Sequence, residues 1–173
     1  MTGQGGGGME KVIVIGSPGA GKSTFARRLG APTGLPLHHL DLLWHRPDRT
    51  TITPEAFDAG LAELLRGERW IIDGNYSRTL EARLAACDTA FFLDYPLEVC
   101  LAGAQARIGR KREDFPYLET ELDPEFYQWI LDFPQRHLPR LRALAAKYQG
   151  EKEIVTFRAR EEAERYLEAL AAL

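Results

Sequence analysis

The chain has 173 residues and a formal net charge of −3 at pH 7, from 22 lysines and arginines against 25 aspartates and glutamates. At about 150 residues per domain this length predicts one domain, and 45% hydrophobic residues suffice for a core without disulfide or metal staples. No apolar run reaches the roughly 18 residues of a membrane span, and the near-balanced charge argues against non-specific nucleic-acid binding, although it leaves room for a local basic patch.

Composition also predicts where the domain begins and in which compartment it works. Residues 1–8 contain five glycines and no apolar pattern, which predicts a flexible tail in front of a domain spanning 9–173. The two cysteines, Cys87 and Cys100, lack C-x-x-C spacing. This predicts reduced thiols in a cytoplasmic protein rather than a disulfide framework.

Short apolar, β-branched runs alternate along the chain with longer helical patterns. This order predicts βαβ units and hence an α/β fold of three layers, a five-stranded parallel sheet with helices on both faces. The predicted strands are 11–15, 37–40, 70–73, 89–94 and 153–157. The predicted helices are 22–29, ended by Gly30 and Pro32, then 54–66, a short one after Ser77, 97–112, segments interrupted at Pro134 and Pro139, and 161–171.

Aspartates follow three of these predicted strands. Asp41, Asp73 and Asp94 come at the ends of the second, third and fourth strands. The carboxyl ends of parallel strands meet at one edge of a sheet, where such folds bind their ligands. We therefore expect the three carboxylates at one edge, close to the functional chemistry.

One motif predicts the chemistry directly. Residues 16–23, Gly-Ser-Pro-Gly-Ala-Gly-Lys-Ser, match G-x-x-x-x-G-K-[ST] between a predicted strand and a predicted helix. Glycines let backbone N–H groups turn inward around phosphates, and the helix N-terminus adds positive charge. We expect Lys22 to reach the β- and γ-phosphates of ATP and Ser23 to coordinate Mg²⁺. The predicted nucleotide-binding residues are Gly16, Ser17, Pro18, Gly19, Ala20, Gly21, Lys22, Ser23 and Thr24.

A strand-end aspartate commonly supports the magnesium ion in such sites. Asp73 and Asp94 compete for this role, and Asp73 is favoured because Gly74 lets the chain turn close to the phosphates. The alternative for Asp94 is a carboxylate that fixes the following turn or caps a helix.

Basic residues crowd the end of the 97–112 helix, among them Arg107 and Arg110. They admit two interpretations: a mobile lid over 107–125 whose guanidinium groups neutralise the transferring phosphoryl group, or a solvated helix end. Arg136 and Arg140 admit the same two, and would share a helical face if Pro139 lets the helix continue.

Ligand-type side chains also occur near Asp41. His38 and His39 are adjacent, and neighbouring strand residues point to opposite faces, which argues against a shared metal ion. Tyr76, in the loop after Asp73, is a candidate for the substrate pocket.

Three further segments carry a family resemblance: 39–44, His-Leu-Asp-Leu-Leu-Trp; 70–77, Trp-Ile-Ile-Asp-Gly-Asn-Tyr-Ser; and 92–96, Phe-Leu-Asp-Tyr-Pro. Together with 16–23 they resemble the bacterial topology-modulation proteins, relatives of adenylate kinase among the P-loop kinases. The resemblance covers nearly the whole chain from Met9.

The resemblance implies a P-loop NTPase fold and roles for individual residues. It implies that Asp73 supports the magnesium ion and that Arg78 contacts a substrate phosphate. It also implies that Arg107 and Arg110 border a lid, that Arg136 or Arg140 faces the phosphates, and that the adenine stacks near Arg158–Arg160.

The region between Asp41 and Trp70 departs from nucleoside monophosphate kinases. It is too short for their monophosphate-binding domain and lacks a clear counterpart of its arginine. Shikimate and gluconate kinases of the same superfamily use an aspartate after the second strand to hold or deprotonate an acceptor hydroxyl, and Asp41 is placed for that role.

The sequence therefore predicts an Mg²⁺-dependent kinase that transfers the γ-phosphoryl group of ATP to a small hydroxyl or phosphate acceptor. Its predicted catalytic residues are Lys22, Asp41, Arg107 and Arg110. The alternative is a nucleotide-dependent regulatory protein that acts on a partner or on DNA without a phosphorylated product.

Overall fold

A computed structural model describes residues 8–173. The tail predicted over 1–8 lies outside the described residues except for Gly8. The centre of the fold is one parallel sheet with the strand order β2-β3-β1-β4-β5. Its strands are β1 (Lys11–Gly16), β2 (Leu37–His39), β3 (Trp70–Asp73), β4 (Thr89–Leu93) and β5 (Glu153–Phe157). The predicted five-stranded parallel sheet is confirmed.

Helices cover both faces of this sheet. They are α1 (Lys22–Thr33), α2 (Leu40–Trp44), α3 (Pro54–Leu65), α4 (Leu80–Ala86), α5 (Leu97–Ala106), α6 (Pro124–Arg136), α7 (Leu138–Tyr148) and α8 (Arg160–Ala171), with a 3₁₀ turn at Ser77–Thr79 before α4. None of the helices between Gly8 and Leu173 has the length and apolar composition needed to cross a membrane.

Alternate residues of the strands serve two separate cores. Ile13 of β1 is fully buried in a cluster with residues of α3, α4 and α7. Its neighbours Val12 and Val14 are buried in a second cluster with residues of α1, α5 and α8. Because both faces of the strands are buried, they read as continuous apolar runs. The three-layer α/β fold follows from this pattern.

Two predicted helix ends differ from the observed ones. The first helix does not end at Gly30: it continues to Thr33, and Gly34, in the left-handed conformation, donates its N–H to the Gly30 carbonyl. The helix predicted over 97–112 ends at Ala106. Shortly after it, Gly109 takes a positive φ of 77° and donates its N–H to the backbone carbonyl of Glu119. That bond leads the chain into the segment over the site.

Two further boundaries matter for the site. β2 ends at His39, so Asp41 lies in the first turn of α2 rather than after a strand ending at residue 40. Pro134 lies within α6, whereas Pro139 lies in the first turn of α7, where its missing N–H costs no helical bond.

Candidate nucleotide and acceptor site

A cavity of about 1090 Å³ opens at the carboxyl edge of the sheet, as expected for a fold of this class. It is lined by eight lysines and arginines against six aspartates and glutamates, so the local charge is positive although the chain is negative. The predicted site residues that line it are Pro18, Gly19, Gly21, Lys22, Ser23, Thr24, Asp41, Asp73, Tyr76, Arg107 and Arg110. Gly16, Ser17 and Ala20 belong to the same predicted motif but are buried and do not line the cavity.

The phosphate loop, residues 16–23, packs backbone against backbone on α5. A Cβ atom at Gly19 would clash with the Cys100 carbonyl oxygen, and one at Gly103 would clash with the Gly19 carbonyl oxygen. Only glycine fits at either position, and Gly19 also has a φ of 82°. The loop is therefore fixed against the helix that leads into the predicted lid.

Lys22 lies folded over this loop. Its Nζ donates to the carbonyls of Gly16, at 3.2 Å, and Ser17, at 3.0 Å. Burial and the nearby charge of Arg107 lower the pKa of Lys22 to about 8, although Asp41 and Asp73 oppose the shift. Two cations held close together without full neutralisation are suited to bind a polyanion.

Asn75 and Arg83 hold the loop after β3 against the phosphate loop, although neither is among the predicted site residues. The Asn75 side-chain amide accepts from the Gly16 N–H at 3.1 Å and donates to the Gly16 carbonyl at 2.5 Å. Arg83 is fully buried; it donates to the carbonyl of Gly74 at 2.8 Å and to that of Asn75. Burial lowers the pKa of Arg83 to about 10.

A signal for Arg83 is present in the sequence. It falls within the helical apolar stripe formed by Leu80, Leu84 and Cys87, where a charged side chain must be buried and needs hydrogen-bond acceptors.

Asp41 and Tyr76 both line the cavity and form a hydrogen bond with each other. The Tyr76 hydroxyl donates to Asp41 Oδ1 at 2.6 Å. Burial and the Asp41 charge raise the pKa of Tyr76, so it stays a proton donor at neutral pH. Its ring packs 4.9 Å from that of Phe57 and its backbone has the unusual φ of 36°. A carboxylate has two oxygens, so Asp41 keeps a second acceptor for a substrate hydroxyl.

Asp73 pairs with His39 beside the phosphate loop. His39 Nδ1 donates to Asp73 Oδ2 at 2.5 Å, and both side chains are buried. Burial raises the pKa of Asp73 despite the opposing effect of His39. Burial alone would lower the pKa of His39, but the hydrogen bond and charge of Asp73 outweigh it and raise that pKa. This pair is not among the sequence-based predictions.

Asp94 lies outside the cavity. It is buried and accepts two hydrogen bonds from Arg142, at 2.9 and 3.1 Å, and one from Arg158 at 3.2 Å. Arg158 also lines a second hollow of about 500 Å³, together with Tyr95 and Arg160. Arg160 donates to the Ala20 carbonyl at 2.9 Å, which joins this hollow to the phosphate loop.

Three predicted arginines are not brought to the cavity. Arg78 forms an exposed ion pair with Asp58 at 2.7 Å, and Arg140 donates to the Ser77 carbonyl at 2.9 Å. Arg136 is exposed. It shares no helical face with Arg140, because α6 ends at Arg136 and α7 begins at Leu138.

The segment between α5 and α6, residues 107–123, is folded over the cavity; we call it the lid segment. Phe115 and Tyr117 of this segment pack against His45, with ring centroids 4.7 and 6.4 Å apart. The guanidinium of Arg49 lies 4.7 Å from the Tyr117 ring centroid and donates to the Leu118 carbonyl at 3.2 Å. The lid segment is thus fastened to the loop after α2.

The same segment also reaches the phosphate loop. Asp114 accepts from the Ser23 hydroxyl at 3.1 Å and from Arg112 at 3.3 Å, and it is 4% exposed. At the start of the segment, Arg107 Nε is buried without a hydrogen-bond partner among the described residues. Burial and the charge of Arg112 lower the pKa of Arg107. An unpartnered guanidinium N–H beside Lys22 fits an anionic ligand.

The oxygen atoms of the site suit Mg²⁺, which the fold implies. Ser23 and Asp114 bring a hydroxyl and a carboxylate together, and Asp73 lines the same cavity. Mg²⁺ takes few protein oxygens and completes its shell with water and phosphate. Within residues 8–173 no cluster of three histidine, cysteine, aspartate or glutamate side chains forms a metal cage. The oxygens of Ser23 and Asp73 are chemically suited to an Mg²⁺ ion bound together with a nucleotide.

Solved structures of small kinases share this architecture. A shikimate kinase from Bacteroides thetaiotaomicron is 16% identical, with a TM-score of 0.62 over 95% of this chain and 98% of its own. A shikimate kinase from Acinetobacter baumannii in complex with shikimate is 18% identical, with a TM-score of 0.60 over 94% of both chains. A gluconokinase from Sinorhizobium meliloti is 18% identical, with a TM-score of 0.54 over 94% of this chain and 91% of its own.

At this level of identity the likeness shows the fold alone: the chain has the same architecture as these solved kinases. No protein-family model and no curated protein matches the chain. Membership of the topology-modulation proteins accordingly stays a prediction.

Proposed function

We propose that the protein is an Mg²⁺-dependent kinase that transfers the γ-phosphoryl group of ATP to a hydroxyl group of a small molecule. The observation that carries this proposal is the position of Asp41, a carboxylate oriented by Tyr76 in the cavity that also holds Lys22 and Arg107. A phosphate-binding loop alone fits any nucleotide-binding protein. A base facing the same space adds a place for the acceptor.

The residues of the site divide the work between charge and proton transfer. Lys22, Arg107 and Arg110 neutralise the phosphate oxygens, on which negative charge is spread in the transition state. Asp41 accepts the proton of the acceptor hydroxyl, whose oxygen bonds to the γ-phosphorus while the bond to the β–γ bridging oxygen breaks and ADP leaves. When bound, Mg²⁺ would neutralise part of the charge on the phosphate oxygens.

Different elements hold the other parts of the reactants. Ser23 and Asp73 are the proposed residues toward the ion, and Arg158 and Arg160 border the hollow proposed for the adenine. The lid segment excludes water, which would otherwise compete with the acceptor. We place the protein in the cytoplasm, where ATP is available and where its buried thiols, Cys87 and Cys100, stay reduced.

A small acceptor is supported by two observations. The similar solved structures bear the names of kinases of shikimate, of gluconate and of sugars. Among residues 8–173, Asp41 lies in the short helix α2, and the lid segment packs on His45 directly after that helix. We therefore propose a hydroxyl-bearing metabolite rather than a macromolecule as the acceptor.

The test is a screen with γ-labelled ATP and Mg²⁺ against pools of polyols, sugar acids, nucleosides and nucleoside monophosphates. The expected result is one labelled small-molecule product, absent with the Lys22→Ala variant. Nucleotide binding without product in every pool would contradict the proposal and favour the regulatory alternative. A salt titration of DNA binding would then follow, because phosphate contacts make affinity fall steeply with salt.

A further inference from the structure

Asp114 is the carboxylate of the lid segment that reaches the phosphate loop. It is 4% exposed and accepts from the Ser23 hydroxyl at 3.1 Å, across 91 residues of sequence. Its neighbour Glu113 has a largely exposed side chain that lies 3.6 Å from Arg27. A buried carboxylate costs free energy unless hydrogen bonds compensate, so the placement of Asp114 is not that of an ordinary lid surface residue.

The contact has a chemical consequence for Ser23. A serine hydroxyl has one proton to donate and two lone pairs to share. Because the Ser23 hydroxyl donates its hydrogen bond to Asp114, the lone pairs of the Ser23 oxygen stay free for a cation. The negative charge of Asp114 also favours a cation at the same point.

The second partner of Asp114 suggests how the residue is carried to this position. Arg112 donates to Asp114 at 3.3 Å and to Glu119 at 2.6 Å, and its guanidinium lies 4.9 Å from the Phe115 ring centroid. Phe115 packs in turn on His45. The contact with Ser23 is therefore part of the closed arrangement of the whole lid segment.

We infer that Asp114 is a positioning residue for a divalent cation, supplied by the lid segment, and that it couples closure of the lid segment to cation binding at Ser23. The inference rests on the proposed function, since it requires a metal-bound nucleotide on the phosphate loop. Coupling of this kind is reciprocal: the cation stabilises the closed lid segment as much as the closed lid segment stabilises the cation.

The test compares nucleotide binding with and without the ion. Calorimetry measures the affinity of wild type and Asp114→Asn for a non-hydrolysable ATP analogue, once with Mg²⁺ and once with a chelator. We expect affinity about tenfold weaker in the variant with Mg²⁺, the loss usual for a residue that orients a metal ligand, and equal affinities with the chelator. Hydrogen exchange should show Mg²⁺-dependent protection of residues 107–123 in wild type only.

Two control variants separate this role from a structural one. Glu113→Gln changes the charge of the adjacent residue and should behave like wild type. Glu119→Gln removes the other carboxylate that pairs with Arg112. Because Glu119→Gln keeps both Ser23 and Asp114, we expect a smaller loss of Mg²⁺-dependent affinity than in Asp114→Asn. A loss of the same size would mean that Asp114 acts only by anchoring Arg112, and the inference would be wrong.

Other outcomes also decide the matter. Tighter binding of the Mg²⁺ nucleotide by Asp114→Asn would mean that Asp114 obstructs the cation. Equal losses of nucleotide affinity with and without Mg²⁺ would mean a general effect on nucleotide binding. Either result overturns the inference. If thermal melting shows that Asp114→Asn does not fold, Ser23→Ala replaces it, and unchanged Mg²⁺-dependent protection of 107–123 there overturns the inference. Failure of wild type to bind the nucleotide at all would instead refute the proposed function.

Discussion

The phosphate loop and the lid segment enclose one cavity but are held by different kinds of contact. The loop is fixed by backbone: Gly19 packs directly on α5, and Gly16 pairs through both of its backbone groups with Asn75. The lid segment is fixed by side chains, such as Asp114 on Ser23 and Phe115 on His45. The phosphate loop is thus fixed by backbone contacts with the rest of the fold. The contacts of the lid segment are made by side chains outside the sheet.

The largest expected effect on turnover comes from a substitution in the phosphate loop. Lys22→Ala should lower phosphotransfer by about 10³-fold or more, because a charge aimed at the transferring group is lost in a water-excluded site. Its thermal stability should not fall, since burial disfavours this ammonium group. Turnover and melting are measured together, with Lys152→Ala as control for a lysine that donates to the Ala85 carbonyl far from the cavity. Unchanged turnover would refute the mechanism.

The second prediction distinguishes a role in activating the acceptor from a role in binding the nucleotide. Asp41→Asn should lower turnover by roughly 10²- to 10³-fold, since general-base catalysis is worth that much, while ATP affinity stays within about twofold of wild type. Tyr76→Phe, which keeps the ring and removes the hydroxyl on Asp41, should lose about tenfold. Weakened ATP binding with normal transfer would assign Asp41 to the nucleotide instead.

A third variant tests whether the phosphate loop depends on the buried side chain of Arg83. Arg83→Met should lower the free energy of unfolding by about 2–3 kcal/mol, because the Gly74 and Asn75 carbonyls lose their donors in the interior. Nucleotide affinity should fall as well, since Asn75 holds Gly16. Urea unfolding and calorimetry measure the two effects. The exposed Arg165→Met is the matched control, and equal stability of both variants would show that Arg83 supports nothing.

The smallest effect is expected outside the cavity. Arg78→Ala should change the KM for the acceptor by less than about threefold, because its exposed pair with Asp58 is worth under about 1 kcal/mol. Steady-state kinetics provide the measurement. A KM raised more than tenfold would support the role implied by family resemblance and extend the acceptor site beyond the cavity.

Local patterns predicted the sheet and the phosphate side well. The run Val12–Ile15 is buried on both faces, and the motif that follows needs only its own spacing to form a loop before a helix. The sequence also predicted that Asp73 and Asp94 lie at the ends of strands. Their different surroundings were not predicted, because Arg142 and His39 come from other parts of the chain.

The acceptor and lid side depended on contacts that no local pattern encodes. The bond between Ser23 and Asp114 joins a helix start to an irregular segment, and helix propensity did not reveal that α5 ends at Ala106. The resemblance to shikimate and gluconate kinases predicted that Asp41 holds or deprotonates the acceptor hydroxyl. Its partner Tyr76 takes a left-handed backbone conformation that the sequence does not specify for tyrosine.

The contact between Gly19 and Gly103 also has a mechanical consequence. With no side chain between them, the phosphate loop and α5 form one rigid body, so a pivot of the lid segment must lie beyond Ala106, where Gly109 adopts a positive φ. At its far end the segment is tied to α6, where the Asp123 side chain accepts from the Glu125 N–H. The lid segment is therefore held at both ends, which limits how far it can move, and the contact of Asp114 with Ser23 aligns it with the phosphate loop.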